Sequence, residues 1–324
     1  MTNYKRHFET TLLLILGILF LVFAGGCGSS SDEPEEPEPP VPIPVFAWDQ
    51  YAETEWFTEY ESNTSFSIST APQLAGLALL VNNGQDMTGK VFAIFNDINL
   101  SGHHWVPIGR AREGENNTHT FKGTFDGNGY VISNIVIQRA SESEGQFGFF
   151  GVVKGGEVRD VNLRNVSVAG VSVPTNTTGG FVGANYGGTI TRCSVTRGII
   201  SGRSVSGNGG AVGGFAGENS GGGKLLNCSV KDVAVELFSA GEDGDGSAGC
   251  FIGVNGSPAN EGHVNNCRVT GGSVSATGTT GVIVSTGGFA GKSEVNGTFY
   301  GNKAEIRPYI GNDIRFYGAP SDDI

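Results

Sequence analysis

The chain has 324 residues, including 53 glycines, and its formal net charge is −12. This charge argues against nucleic acid and against anionic membrane surfaces as partners. Glycine exceeds its usual share of about 7% without a collagen-like triplet period, so we assign the glycines to turns.

Residues 1–26 are predicted to be a lipoprotein signal peptide. Lys5, Arg6 and His7 precede an apolar run, Leu12–Ala24, that is too short to span a bilayer comfortably. The run ends in AGGC, which resembles the lipobox of bacterial lipoproteins. The resemblance implies cleavage before Cys27, a lipid on its thiol and a lipid anchor in the outer membrane or at the cell surface. An ordinary secretory signal is the alternative.

Residues 27–45, rich in serine, proline and acids, cannot bury a core and are interpreted as an extended stalk. Residues 46–68 form an aromatic and acidic lead-in. They either pack onto the following helix or expose rings that stack on sugars. The candidate ligand contacts are Trp48, Trp56, Tyr60 and, in a later loop, Trp105.

A cap helix is predicted over residues 69–84. Thr70 and Gln73 form a capping-box pair, and Pro72 lies in the first turn. Gly84 is a C-terminal stop. Apolar residues share one helical face, so we expect the helix to cover the N-terminal end of the fold that follows. These residues are Leu74, Leu77, Ala78 and Val81.

The pattern apolar-x-polar-apolar-x-apolar recurs six times, with first residues separated by 37, 26, 32, 35 and 39 positions. The copies begin at Phe95, Ile132, Val158, Ile190, Leu225 and Val264. Each is interpreted as strand, one-residue corner, strand, because Asn and Asp at the polar position tolerate left-handed backbone. The loose period predicts a solenoid, an all-β, single-stranded, right-handed parallel β-helix over 85–310, followed by a tail over 311–324.

A glycine-rich line precedes each corner, as in GGFVGANYGGTI. Its alignment between copies places one phenylalanine per turn at equivalent positions, which predicts an apolar column along the core. The phenylalanines are Phe149, Phe181, Phe215, Phe251 and Phe289.

Cys193, Cys228 and Cys267 occupy one template position that Ile135 and Val161 fill in other copies, so we expect them to be core residues. Neighbouring rungs are nearly 5 Å apart and disulfides need Cβ atoms about 3.8 Å apart, which favours free thiols. Cys250 could pair only by local distortion. Neither Cys-x-x-Cys spacing nor a complete calcium loop occurs, so no metal is expected.

The repeated GGFVG and GGFAG lines, each followed by a glycine-rich turn and a corner, resemble the GLUG motif of bacterial surface proteins. The segments ISTAPQLAGLALLVNNG and FKGTFDGNGYVISNIVI resemble the leader before such repeats. The resemblance covers roughly Ile68 to Lys303. It implies a secreted or surface-anchored protein for which adhesion is the usual role.

The pattern favours a lipid-anchored surface module that binds an extracellular glycan or protein through its β-helix. Parallel β-helices also carry polysaccharide lyases and hydrolases, and a purely structural spacer is a third possibility. No catalytic residues are predicted, because acids at the corners are explained by turn chemistry. No cofactor and no nucleic-acid partner are expected.

Overall fold

The computed structural model describes residues 46–110, 119–138, 145–169, 177–204, 210–239, 246–278, 284–305 and 314–316. The predicted signal peptide, Cys27, the stalk and nearly all of the predicted tail lie outside these residues. Within the described part of the chain, no helix has the length and apolar character needed to cross a membrane.

The lead-in is partly helical. It contains a 3-10 helix, Trp48–Tyr51, and a short α-helix, α1 (Glu55–Thr58), before the first strand begins at Ser65. Next comes α2 (Ala71–Asn82), whose N-cap Thr70 accepts a hydrogen bond from the Gln73 backbone N–H at 3.3 Å. The Gln73 side chain in turn accepts from Ser69 N at 2.8 Å, so the predicted capping is confirmed.

The apolar face of α2 is buried in the hydrophobic core beside the first strands of the fold. Leu74, Leu77 and Val81 are fully buried there. Gly84, immediately after the helix, has a φ of +88°, which explains why the chain stops the helix at this glycine.

All strands run in parallel pairs within four sheets, and the chain visits the sheets in rotation. In the N-terminal part, sheet 1 contains β1 (Ser65–Ile68), β2 (Val91–Ile94) and β4 (Thr124–Asp126). Sheet 2 there contains β3 (Ile98–Asn99) and β5 (Val131–Gln138).

Five turns follow, each visiting sheets 3, 4, 1 and 2 in that order. The first comprises β6 (Gln146–Phe147), β7 (Phe150–Lys154), β8 (Glu157–Arg159) and β9 (Asn162–Ala169). The second comprises β10 (Thr177–Gly179), β11 (Val182–Tyr186), β12 (Thr189–Thr191) and β13 (Ser194–Ser204). The third comprises β14 (Ala211–Gly213), β15 (Ala216–Ser220), β16 (Gly223–Leu226) and β17 (Ser229–Ser239).

The fourth turn comprises β18 (Gly246–Gly249), β19 (Ile252–Asn255), β20 (Gly262–Asn265) and, both in sheet 2, β21 (Arg268–Thr270) and β22 (Ser273–Gly278). The fifth comprises β23 (Val284–Gly287), β24 (Ala290–Ser293), β25 (Gly297–Tyr300) and β26 (Lys303–Glu305). A last strand, β27 (Ile314–Phe316), pairs with β23 in sheet 3. The predicted parallel β-solenoid with an N-terminal helix is confirmed.

The phenylalanine column forms at the corner between sheets 3 and 4. Ring centroids of Phe181 and Phe215 are 4.7 Å apart, those of Phe215 and Phe251 are 5.0 Å apart, and those of Phe251 and Phe289 are 4.8 Å apart. All three pairs are stacked within 12° of parallel. The spacing equals the distance between rungs, so one buried ring per turn fills the core from Phe181 to Phe289. Phe149, predicted in the same column, is buried but does not stack, since its ring is tilted by 57° and lies 6.5 Å from that of Phe181.

The corner between sheets 1 and 2 has a left-handed backbone. The repeat pattern predicted this corner in six copies, and the prediction is confirmed in four of them. Asp160, Arg192, Asn227 and Asn266 have φ between +52° and +55°. The two earliest copies were placed wrongly. Ile132 pairs with Leu163 rather than Val158, and Ile98 pairs with Ile132.

Asn134 therefore belongs to a second bend, inside sheet 2. The residues at this bend also have positive φ, between +54° and +67°, and they are Asn134, Asn165, Arg197, Asp232 and Gly271. Two different bends select the same residue types, which is why one template fitted both. Phe95, the first residue of the earliest copy, is exposed rather than buried.

Cys193, Cys228 and Cys267 lie in one buried column after the corner, and they and the buried Cys250 are free. The backbone N–H of Cys228 lies 3.4 Å from the Cys267 sulfur. Burial raises the pKa of the Cys193 and Cys267 thiols, so they remain protonated and act as small apolar core residues.

A column of buried asparagines, not predicted from the sequence, runs along the end of sheet 4. Asn185 donates from Nδ2 to Asn219 Oδ1 at 2.8 Å, and Asn219 donates in the same way to Asn255 at 2.9 Å. Each also donates to a carbonyl of the following glycine-rich turn. The column therefore satisfies buried polar groups between successive turns.

Candidate functional site

An exposed aromatic cluster lies at the N-terminal end of the solenoid. It consists of Trp48, Tyr51 and His103, which we call the aromatic cluster. The rings of Tyr51 and His103 are 4.2 Å apart, and the Trp48 ring meets His103 edge-on at 4.8 Å. Tyr51 is 44% exposed, so its ring presents a surface to solvent.

Backbone contacts hold the aromatic cluster in place. Trp48 N donates to His104 O at 2.9 Å, and His104 N donates to Phe46 O at 2.8 Å. The Trp48 indole N–H donates to Leu100 O at 2.9 Å. The 3-10 helix that carries Trp48 and Tyr51 is thereby fixed to the loop that carries His103, which favours a rigid binding surface.

The charge around the aromatic cluster is negative. Asp49 and Glu53 are exposed in the same segment, and Glu55 follows at the start of α1. Like charges repel, so this surface disfavours anionic ligands and favours neutral or cationic ones.

The predicted ligand contacts divide into different environments. Trp48 joins the aromatic cluster, whereas Trp56 packs edge-on against Phe66 and Phe92 and donates from its indole to Glu53 O at 2.7 Å. Tyr60 is 56% exposed on the surface beyond α1. These three residues are at least partly accessible, which leaves a ligand contact feasible at each.

The prediction for Trp105 was wrong, because its side chain is only 2% exposed. Its ring stacks on Phe149 at 5.2 Å and its indole N–H donates to Phe149 O at 2.9 Å. Trp105 thus extends the aromatic core toward the N-terminus and cannot stack on a ligand. The glycine and proline near Trp105 are typical of an exposed loop. The contact with Phe149, which depends on the tertiary fold, places Trp105 in the core.

Tyr51 and His103 were missed as members of a site. The sequence shows Tyr51 three residues after Trp48, but His103 is about fifty residues further along. Their meeting depends on the bridge between Ala47 and His104, which no local pattern encodes.

Three carboxylates from two successive turns lie on sheet 1 and at its corner, and arginines bind all of them. Arg159 binds Asp126 at 2.8 Å and Glu157 at 2.9 Å. Arg192 forms two hydrogen bonds of 2.7 Å with Asp160.

Hydrogen bonding from Arg192 lowers the pKa of the Asp160 carboxyl. A general acid needs the opposite shift, toward the working pH. This charged face is therefore suited to holding adjacent turns together. Among the described residues, no group of three His, Cys, Asp or Glu side chains is arranged to hold a metal ion.

Residues 175–200 and 208–236 match the family model described as the GLUG motif. The two matches cover β10 to β13 and β14 to β17 and end a few residues before the end of each sheet 2 strand, so one motif corresponds to about one turn of the solenoid. The chain therefore carries GLUG motifs on a β-solenoid.

The chain is also similar to halomucin from Haloquadratum walsbyi, with 34% identity over 88 residues. The match covers 27% of this chain and 1% of halomucin, so the chain spans only a small fraction of that protein. A crystal structure of a protein from Bacteroides ovatus, provisionally described as an immunoglobulin A1 protease, shares 19% sequence identity. Its TM-score is 0.46, covering 78% of this chain and 77% of the other.

Proposed function

We propose that the protein is a lipid-anchored cell-surface binding module. In this proposal Cys27 carries the lipid, residues 27–45 form the stalk, and the solenoid presents the aromatic cluster to an extracellular ligand. The lipobox-like AGGC and the GLUG motifs support a surface location, and the exposed Tyr51 ring supports binding.

The ligand class is a neutral glycan. Aromatic faces pack against the C–H surface of a sugar ring by apolar contact, and Tyr and Trp add polar tips for hydroxyl groups. The acidic surroundings of the cluster disfavour uronate or sulfated sugars at this position. Tyr51 carries the proposal, because it combines exposure with a fixed ring partner, His103.

Binding is tested by titrating neutral oligosaccharides against the full chain and following tryptophan fluorescence and calorimetric heat. We expect Tyr51→Ala to weaken binding about tenfold, which corresponds to about 1.4 kcal/mol for one lost stacking contact. Tyr130→Ala removes an exposed tyrosine remote in sequence from the cluster and is the matched control. Equal loss in both variants, or no binding by the parent chain, contradicts the proposal; the second result favours a structural spacer.

The anchor is tested separately in cells. Cys27→Ser should move the protein from the membrane fraction to the soluble extracytoplasmic fraction and abolish incorporation of labelled fatty acid. Undiminished incorporation of the label by this variant would refute the lipid anchor while leaving the ligand proposal intact.

A further inference from the structure

The outward face of sheet 2 is basic, although the chain as a whole is acidic. Six basic and three acidic residues project from its strands, giving a net charge of +3 against −12 for the chain. The basic residues are Arg164, Arg197, Arg203, Lys231, Arg268 and Lys303, and the acidic ones are Asp232, Glu236 and Glu305. Arg268 and Glu305 form an ion pair at 2.8 Å, and within the described residues the other five cations form none.

Three of these cations, Arg164, Arg197 and Lys231, lie on consecutive turns. The pairing register places Arg164 on β9, Thr196 on β13 and Lys231 on β17 in one outward column. Arg197 follows Thr196 directly, so it projects beside the same column. Since rungs are about 4.8 Å apart, the backbones that carry Arg164 and Lys231 are about 10 Å apart. We call Arg164, Thr196, Arg197 and Lys231 the basic patch.

Arg197 has a left-handed backbone, with φ of +60°. The turn before it has Asn165 at this bend, a residue that tolerates this conformation much better than arginine does. Arg192 is also left-handed, but its two hydrogen bonds to Asp160 offset the strain. Within the described residues Arg197 forms no ion pair, so the structure contains no comparable compensation. An unusual backbone conformation retained without intramolecular benefit points to a binding role.

Among the described residues, the acidic neighbour of Arg197, Asp232, forms no ion pair with it. Asp232 occupies the same bend one turn later, and its Oδ1 lies against the Cα of Gly271 in the turn after that. A side chain at position 271 would collide with this carboxylate, so the glycine makes room for it. The basic patch therefore keeps its positive charge despite the nearby acid.

We propose that the basic patch binds an acidic polysaccharide. Carboxylate or sulfate groups of the polymer would pair with Arg164, Arg197 and Lys231, and the Thr196 hydroxyl lies between them as a further donor. The cations of the patch are spread over three consecutive turns of the outer surface of sheet 2, which fits an extended polymer with repeated charges. None of its four residues is aromatic, so it lacks the rings on which nucleic-acid bases stack. The patch lies on sheet 2 and shares no residue with the aromatic cluster.

The first experiment measures binding of the full chain to four polymers at low ionic strength by affinity electrophoresis and calorimetry. The polymers are polygalacturonate, chondroitin sulfate, neutral dextran and single-stranded DNA. We expect binding to one or both acidic polysaccharides, weakening as salt is added. The variant Arg164→Gln/Lys231→Gln should lose about tenfold in affinity, from two charge-assisted contacts of about threefold each.

The matched control is Lys154→Gln/Lys224→Gln, which makes the same change in net charge on exposed positions of sheets 4 and 1. Equal weakening in the two double variants would reduce the effect to net charge and overturn the proposal. DNA binding as tight as polysaccharide binding, or no binding to any polyanion, would overturn it as well. Tyr51→Ala should leave polyanion binding unchanged, so failure here is distinguishable from failure of the aromatic cluster.

A second variant separates binding from structure. Arg197→Asn should raise the melting temperature, because asparagine relieves the left-handed strain, and should weaken polysaccharide binding at least threefold. A lower melting temperature would show that Arg197 serves the fold, and unchanged affinity would remove it from the site.

Discussion

Substitution in the middle of the asparagine column should cost much more stability than substitution at its end. Asn219 is fully buried and bonded on both sides, whereas Asn185 starts the column. The turn before Asn185 already has Val153 at the paired position, so valine fits the site sterically. The comparison is therefore Asn219→Val against Asn185→Val.

The expected loss in free energy of unfolding depends on how many hydrogen-bonding groups each substitution leaves without a partner. Asn219→Val removes the donor to Asn255 Oδ1 and to Gly223 O, and the acceptor for Asn185 Nδ2. At about 1 kcal/mol or more for each buried group left unpaired, the variant should lose about 3 kcal/mol. Asn185→Val leaves fewer groups unpaired and also removes the Asn185 Oδ1, which has no hydrogen-bond partner. We therefore expect this variant to lose about 1 kcal/mol of stability.

The assay is reversible unfolding in urea, followed by the strand signal in circular dichroism. A drop of about 3 kcal/mol would lower the melting temperature by about 6 to 12 °C for a domain of this size. Equal destabilisation by the two variants would refute the reasoning, because it would mean that side-chain volume rather than the interturn hydrogen bonds matters. A gain in stability from Asn219→Val would refute it more directly.

Two other predictions concern titrating groups. Burial raises the pKa of Cys250 to about 12 and also raises those of Cys193 and Cys267, so in a Cys27→Ser chain at pH 8 iodoacetamide should label these thiols only after denaturation; rapid labelling of the folded chain would contradict their burial. The pKa of Asp160 is lowered below 3.8 by Arg192, so its contribution is present above that pH and is lost as the pH falls through the folded value. The stability difference between the parent and Asp160→Asn, below about 1 kcal/mol for this partly exposed pair, should therefore vanish in acid, and a difference that grows in acid would disprove the assignment.

The core of the fold could be predicted from the sequence because each turn repeats its own chemistry. The phenylalanines recur with the glycines that flank them, and three of the four later corners carry the Asn or Asp that a left-handed position favours, Arg192 being the exception. The cap helix was predictable for a similar reason, since Thr70 and Gln73 act through contacts only a few residues apart.

The failures involve information that is not local. Asn134 and Asp160 look alike in sequence, and only pairing register distinguishes the bend in sheet 2 from the corner after sheet 1. The asparagine column was visible in principle, since Asn185, Asn219 and Asn255 each follow a column phenylalanine by four residues. The aromatic cluster required His103 to meet Tyr51, and that contact depends on the tertiary fold.

Consecutive turns carry the same buried residues at equivalent positions, and this affects how such a chain can evolve. Each turn between Phe181 and Cys267 carries one Phe, one Asn and one Cys at equivalent positions. A duplicated turn would therefore pack against the same side chains in the turns on either side of it. The solenoid could gain or lose whole turns with little change in side-chain packing. The length of the solenoid would then be set by the number of copies, while the residues that face outward diversify independently.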